Sequence, residues 1–254
     1  MKKRRIRQRP NNRFFLLAAV LYRRYGRQAR LRSVLEQAVT AAALFFALRA
    51  FISVQGMPYA VFLLGGLAPW FYFREVLFSI LEEPEGIKSI FGADGYSPSL
   101  FPAGQAVAAL PTLLLWTGVC LLVALLYGVA LQRLWLLLYF VACSACNAAA
   151  QGMFAAAFLP LFPAGGSKGL AITMPYFFWT SPIVWPAGNF TGLLLFMMRL
   201  NPMYYLADCL RSIVTSGVLP TVEHGAVFFA AVTVTGLVGM RCLRRVWRSS
   251  GAVW

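Results

Sequence analysis

The chain has 254 residues, 60% of them hydrophobic and only 12% charged, with a mean hydropathy of +0.69. A soluble domain carries about twice that charged share, so the composition excludes an ordinary soluble protein. The net charge of +15 suggests a nucleic-acid binder until its placement is read: twelve of the 23 Lys and Arg lie in Lys2–Arg32, and four more are Arg241, Arg244, Arg245 and Arg248. Basic flanks of this kind next to apolar spans mark a cytoplasmic side.

Taken in chain order, residues 1–12 are polar and basic, and Asn12–Arg32 predicts an amphipathic helix with Phe14, Leu17, Leu21, Tyr25 and Leu31 near one face. Such a helix lies in the membrane interface, with arginines toward anionic headgroups. Arg23, Arg24, Tyr25 and Arg27 are its central residues. A first span is predicted over 34–54, where Glu36 and Arg49 are close enough to the ends to snorkel. After "QGMP" a second span covers 59–81. The insert 82–104 follows, cytoplasmic by span counting. It holds Glu82, Glu83, Glu85 and Asp94, half of the carboxylates in the chain. Pro84 can open a short helix there, with Ile87, Ile90 and Phe91 on one face. That face suits either docking to another protein or folding back on the bundle.

Spans three and four are expected over 106–131 and 134–159, the third broken at Pro111. Asn147 and Gln151, one turn apart on the fourth, read as amides facing the bundle rather than a substrate. Cys143 and Cys146 have metal-like spacing, but without a second pair or a nearby histidine they read as small buried helix residues. The "GGSKG" turn lacks phosphate-loop spacing. A short fifth span, 170–185, contains Pro175 and Pro182; 187–219 suits re-entrant segments, because "FTGLLLFMM" is too short to cross. The last span is 223–240. The sum is an all-α protein: residues 1–33 as basic tail and interfacial helix, then one six-span domain over 34–254 with both termini cytoplasmic. No cleavable signal is evident.

The eight carboxylates and the lone His224 form no catalytic constellation, and no metal-ligand spacing is present. Mid-span ionisable groups of the sort ion-coupled transporters use are nearly missing. If the chain moves something, the energy comes from elsewhere, and a separate ATPase contacting 82–104 is the economical source. Trp70, Phe71 and Phe73, and Tyr176, Phe177, Phe178 and Trp179, fit either stacking on sugar rings or ordinary helix packing. Trp185 and Tyr59 suit an interfacial belt.

Four stretches carry a family resemblance: "RRYGRQARLRSVLEQ", "MPYAVFLLGGLAPWFYF", "FFWTSPIVWP" and "LNPMYYLADCLRSIVTSG". In this order they resemble the permease subunit of type-2 ABC exporters for polysaccharides, the capsular, O-antigen and teichoic acid permeases. Two departures stand out: "LRSVLEQ" replaces the family's Leu-Gly-x-Leu-Trp, and the inner loop lacks its Asn-x-x-Leu. The resemblance implies a homodimer in a bacterial inner membrane with two ATPase subunits below, which bind the ATP and magnesium; this chain holds no cofactor. It implies a coupling helix using Glu82, Glu83, Glu85, Ile87, Lys88, Ile90 and Phe91. A lipid-linked glycan would pass along the dimer interface, partly lined by the aromatics above. Outer re-entrant helices would contain Asn201, Pro202 and Arg211, with room for periplasmic export partners. Permeases for lipid or drug export, a membrane enzyme acting on lipid-linked sugars, and a non-transporting scaffold are the competing expectations.

Overall fold

The computed structural model describes residues 27–81, 99–158, 174–175 and 177–249, and its regular elements are all helical. They are α1 (Arg27–Leu48), α2 (Tyr59–Leu81), α3 (Leu100–Ala108), α4 (Leu110–Leu126), α5 (Leu136–Phe158), α6 (Gly192–Leu200), α7 (Pro202–Ser216) and α8 (Val222–Ser249), with a 3₁₀ turn at Ala187–Asn189. Five stretches among the described residues are long and apolar enough to cross a bilayer: Leu31–Leu48, Tyr59–Leu81, Leu100–Leu126, Leu136–Phe158 and Val222–Val246. Of the expected fifth span, 170–185, residues 170–173 and Tyr176 lie outside the described residues.

α2 is the hub. It packs on α1, α3, α4, α5 and α7, and four-fifths of its length is enclosed by protein. Apolar burial is worth little here, because lipid tails are as apolar as leucine; close packing and interhelical hydrogen bonds hold such a bundle. The interhelical hydrogen bonds fit that role. The Tyr72 hydroxyl donates to the Ala106 carbonyl at 2.7 Å, and the Trp116 indole N–H donates to Gln37 Oε1 at 2.6 Å. The Tyr139 and Tyr205 hydroxyls pair at 2.8 Å. Phe71 meets Trp116 with centroids 4.8 Å apart.

Several boundaries differ from the sequence reading, each for a local reason. Arg27–Arg32 is continuous with the first span. No Gly or Pro interrupts Arg27–Leu48, and an Arg32–Glu36 ion pair of 3.1 Å bridges the expected break one turn apart. The helix stops at Leu48, short of Val54, in a turn that leads to Gly56 in the left-handed region (φ 79°). The third span starts at Leu100, inside the segment assigned to the loop. It breaks at Ala109, two residues before Pro111, whose missing N–H and ring disturb the preceding turn. It ends at Leu126 because Gly128 turns the chain at φ 76°. The expected fifth span gives way to turns after residue 179, since Pro182 cannot continue a helix and restricts Ser181. α8 runs past Met240 to Ser249, with no breaker to end it. Cys143 is buried as expected, but Cys146 is exposed: three residues along a helix return about 60° short of a full turn, enough to carry Cys146 off the packed face. Asn147 is buried and its Nδ2 faces Met203 Sδ at 3.7 Å, a weak acceptor.

The most extensive helix pair is α5 with α8. Its seam is built on small residues. A Cβ on Gly236 would lie 3.3 Å from Ala150 Cβ, and one on Gly239 would lie 2.6 Å from the Phe154 amide nitrogen. Backbone cannot move aside as a side-chain tip can. Gly239→Ala is therefore expected to destabilise the protein by about 1–3 kcal/mol through overpacking. Gly118→Ala, where nothing lies within 4 Å of the new Cβ, is expected to be tolerated. Thermal unfolding of the two purified variants in detergent checks the contrast.

Candidate functional site

The site is built where α7 meets α2 and the turn after residue 179. Asn201 caps α7: its Oδ1 accepts from the Met203 amide at 3.0 Å, and Pro202 occupies the first turn, where no donor is needed. The other end of the same amide faces the turn. Nδ2 donates to Thr180 Oγ1 at 2.9 Å, Ser181 Oγ at 3.0 Å and the Phe177 carbonyl at 3.3 Å. One side chain thus starts a helix and fastens residues 177–181 to it. Gly217 ends α7 in the left-handed conformation (φ 63°). A Cβ there would also sit 2.9 Å from Gln132.

Arg211 projects from α7 into the bundle and is only 5% exposed. Its Nε donates to the Phe62 carbonyl at 2.9 Å and its Nη2 to the Ile183 carbonyl at 3.1 Å. The guanidinium carbon lies 3.5 Å from the centroid of the Phe62 ring. Asp208, one turn earlier, acts on it electrostatically. A cation in an apolar bundle is costly unless such partners compensate it. Space for it comes from the Gly65–Gly66 pair of α2. A Cβ on Gly65 would meet the Arg211 Cγ at 2.8 Å. One on Gly66 would meet both Arg211 Nη2 and the Ile183 Cα at 2.8 Å. Pro69 adds to this: it leaves the Gly65 carbonyl without its helical donor. Asn201 grips the Ser181–Ile183 turn from one side and Arg211 from the other. Three separate sequence motifs become one joint.

The aromatic residues fall into two groups. Trp70, Phe71 and Phe73 are buried and meet other rings: Trp70 with Phe178 at 5.2 Å, Phe73 with Phe177 at 5.4 Å, Phe71 with Trp116. In this protomer they join helices. Phe177 and Phe178 are half-buried, while Trp179 is 60% exposed with Phe178 edge-on behind it at 5.2 Å. Trp179 is the most exposed of the described aromatics in this set. Tyr176 lies outside the described residues. So do Glu82, Glu83, Glu85, Ile87, Lys88, Ile90 and Phe91 of the inner loop, and Arg23, Arg24 and Tyr25; Arg27 opens α1.

Sequence reasoning did not single out Phe62, Gly65 and Gly66 as the receptor for Arg211. The signal was present as a Gly-Gly pair within a quoted span. A second polar recess, about 140 Å³, lies between α6, α7 and α8 and is lined by Arg199, Tyr204, Glu223 and His224 among others. His224 Nδ1 stands 3.9 Å from Asp208 Oδ2, too far for a hydrogen bond. Burial pushes the Asp208 carboxyl up, and the nearby Arg211 and His224 oppose that shift. Among the described residues, no group of three metal-ligating side chains gathers.

The joint can be dissected by a double-mutant cycle. Arg211→Ala removes two hydrogen bonds from a charged group, each worth roughly 1.5–3 kcal/mol, and is expected to lower the unfolding temperature clearly. Gly65→Ala collides only with the Arg211 side chain. It is expected to destabilise the wild type but to be near neutral in the Arg211→Ala background. Gly66→Ala also collides with the Ile183 backbone and is expected to stay destabilising in both. Unfolding of the wild type, the three single variants and the two doubles reads the coupling.

The comparison with known families agrees with these motifs and covers most of the chain. No curated protein matches it. The ABC-2 type transporter family matches residues 13–215, a stretch that contains α1 through all but the last residue of α7, and so takes in the Gly65–Gly66 pair, the Ser181–Ile183 turn, Asn201 and Arg211. The chain belongs to the ABC-2 type transporter family, as a membrane component of an ABC transporter.

Proposed function

We propose that this chain is the permease half of an ATP-driven exporter that moves a lipid-linked cell-surface polysaccharide out of the cytoplasm. The supporting observation is the ordered set of motifs, from Arg23 to Gly217, within a chain of the ABC-2 family. Membership implies an ABC ATPase as partner, and the chain has no nucleotide-binding motif of its own. ATP and magnesium belong to that partner in this reading. Two copies form the transporter in the bacterial inner membrane, termini inward. The state of α1 supports this: Leu35, Val39 and Phe46 are exposed, and little of its span is covered within one protomer. The inner loop from Glu82 to Phe91 docks the ATPase. Trp179 contributes a ring along which saccharides slide, since stacking on an aromatic face is weakly directional. The recess around Arg199 and His224, and the Asn201–Arg211 joint, sit on the outer side.

The same architecture serves lipid or drug export, and the test separates these. Tag the chain in its native host and extract it in mild detergent. A stoichiometric ATPase is expected to co-purify and to be lost with Phe91→Asp. Deleting the chain is expected to strip the surface polysaccharide, and Trp179→Ala to reduce it several-fold while leaving the ATPase bound. An intact ATPase complex with unchanged surface glycan in the deletion strain would leave lipid or drug export. Absence of any ATPase would overturn the permease assignment.

A further inference from the structure

Between α1, α2 and α4 lies a cavity of about 570 Å³ whose walls are almost wholly apolar. It is lined by Ala38, Ala41, Leu64, Val119 and Trp116, and by Phe45, Phe46 and Tyr127 toward the non-basic end of the bundle. This is nearly four times the ~150 Å³ apolar cavity known to stay dry and accept benzene. All three helices that wall it are membrane spans, so water is not the natural filling. The small side chains of α1, alanines at 38, 41 and 42, are what open the space.

The two ends of the cavity differ. Toward the basic N-terminal end, the hydrogen bond from Trp116 to Gln37 ties α4 to α1. At the other end, Arg49 is exposed and its guanidinium carbon lies 5.7 Å from the Phe45 centroid and 5.3 Å from that of Phe46. Both rings line the cavity. A fixed cation therefore sits over the mouth of an apolar slot. From Val34 to Phe46 the lining of α1 extends over thirteen residues, about 18 Å of helix. One leaflet of hydrocarbon is about 15 Å thick. The slot has the length, chemistry and depth of one acyl chain, and its mouth has the charge to meet a phosphate.

We infer that this cavity binds one anionic phospholipid from the leaflet on the Arg49 side, an acyl chain lying between α1, α2 and α4 and the phosphate on Arg49. The occupant is a membrane lipid and not the transported molecule, so the inference stands whichever substrate is exported. Arg49 is permanently charged and is pre-oriented by the two rings. It supplies the head-group preference, while the alanines supply the fit. Such a lipid also fills the space that keeps α1 from collapsing onto α4.

Titration of the full chain, in detergent, with phospholipids brominated on the acyl chain tests this, because bromine quenches tryptophan on contact. Trp116 is only 5% exposed, so a lipid chain reaches it through the cavity. Brominated phosphatidylglycerol is expected to quench a component of the fluorescence at low lipid ratio, and Ala38→Phe, which blocks the slot, is expected to remove that component. Arg49→Gln is expected to raise the phosphatidylglycerol concentration required by about tenfold and to weaken brominated phosphatidylcholine much less, because its choline already offsets the phosphate charge. Identical quenching in wild type and Ala38→Phe would overturn the inference. Equal response to the two lipids in wild type would overturn the head-group assignment. Disulfide cross-linking between copies through Ala38→Cys would place a second protomer in the slot instead and overturn it as well.

Discussion

A guanidinium inside an apolar helical bundle dictates much of what surrounds it. Arg211 has to meet carbonyl oxygens, because no water is at hand, and it finds them on α2 and on the turn at Ile183. For those carbonyls to be reachable, α2 must present bare backbone, which Gly65 and Gly66 provide. For the turn to be within reach, the chain after residue 179 must leave the helix early, which Pro182 enforces. For α7 to start at the right place, its first amides need a cap, and Asn201 supplies it while gripping the same turn. Each motif answers a requirement set by one buried charge. The arrangement also explains why a fifteen-residue helix, too short to cross, holds its position: it is pinned at both ends by polar contacts.

The part of the described bundle around α7 is therefore specified by hydrogen bonds and the interior around α2 by shape. α2 meets α4 and residues 177–178 through aromatic contacts at Phe71, Trp70 and Phe73. Aromatic pairs contribute about 0.5–1.5 kcal/mol each beyond area burial, and in a bilayer, where area burial is worth little, that geometry is much of what remains. α1 is the opposite case. It touches the rest through Gln37 and a few apolar side chains, and its other faces are open. A span so thinly attached depends on lipid or on another chain for its environment.

The sequence disclosed five of the six expected spans because hydropathy is a property of composition, and the bilayer imposes a length that any window can detect. It also disclosed Asn201, Pro202 and Arg211, because a polar residue or a charge in such surroundings stands out. It did not disclose where Arg211 points. That depends on the relative rotation of α7 and α2, which hydropathy does not encode. Helix ends were misplaced at 48 and 126 for a related reason: apolar residues continue past each of them, while the terminating signal is a turn led by a single glycine. The aromatic residues were ambiguous in sequence because a ring that packs and a ring that binds have the same composition. Burial separates Trp70, Phe71 and Phe73 from Trp179.

The seam between α5 and α8 carries a mechanical consequence. Gly236 and Gly239 let the backbones interlock at Ala150 and Phe154. Sliding α8 along α5 by one turn would set Thr235 or Leu243, on the same face of α8 as Gly239, against the Phe154 backbone. Piston-like sliding between these two helices is thereby blocked, and they travel as one plate. α8 is about 42 Å long, against roughly 30 Å of hydrocarbon, long enough for Arg241, Arg244 and Arg245 in its last turns to reach a headgroup layer. Cations at that layer would fix the height of the plate, leaving it tilting and rotation in the plane.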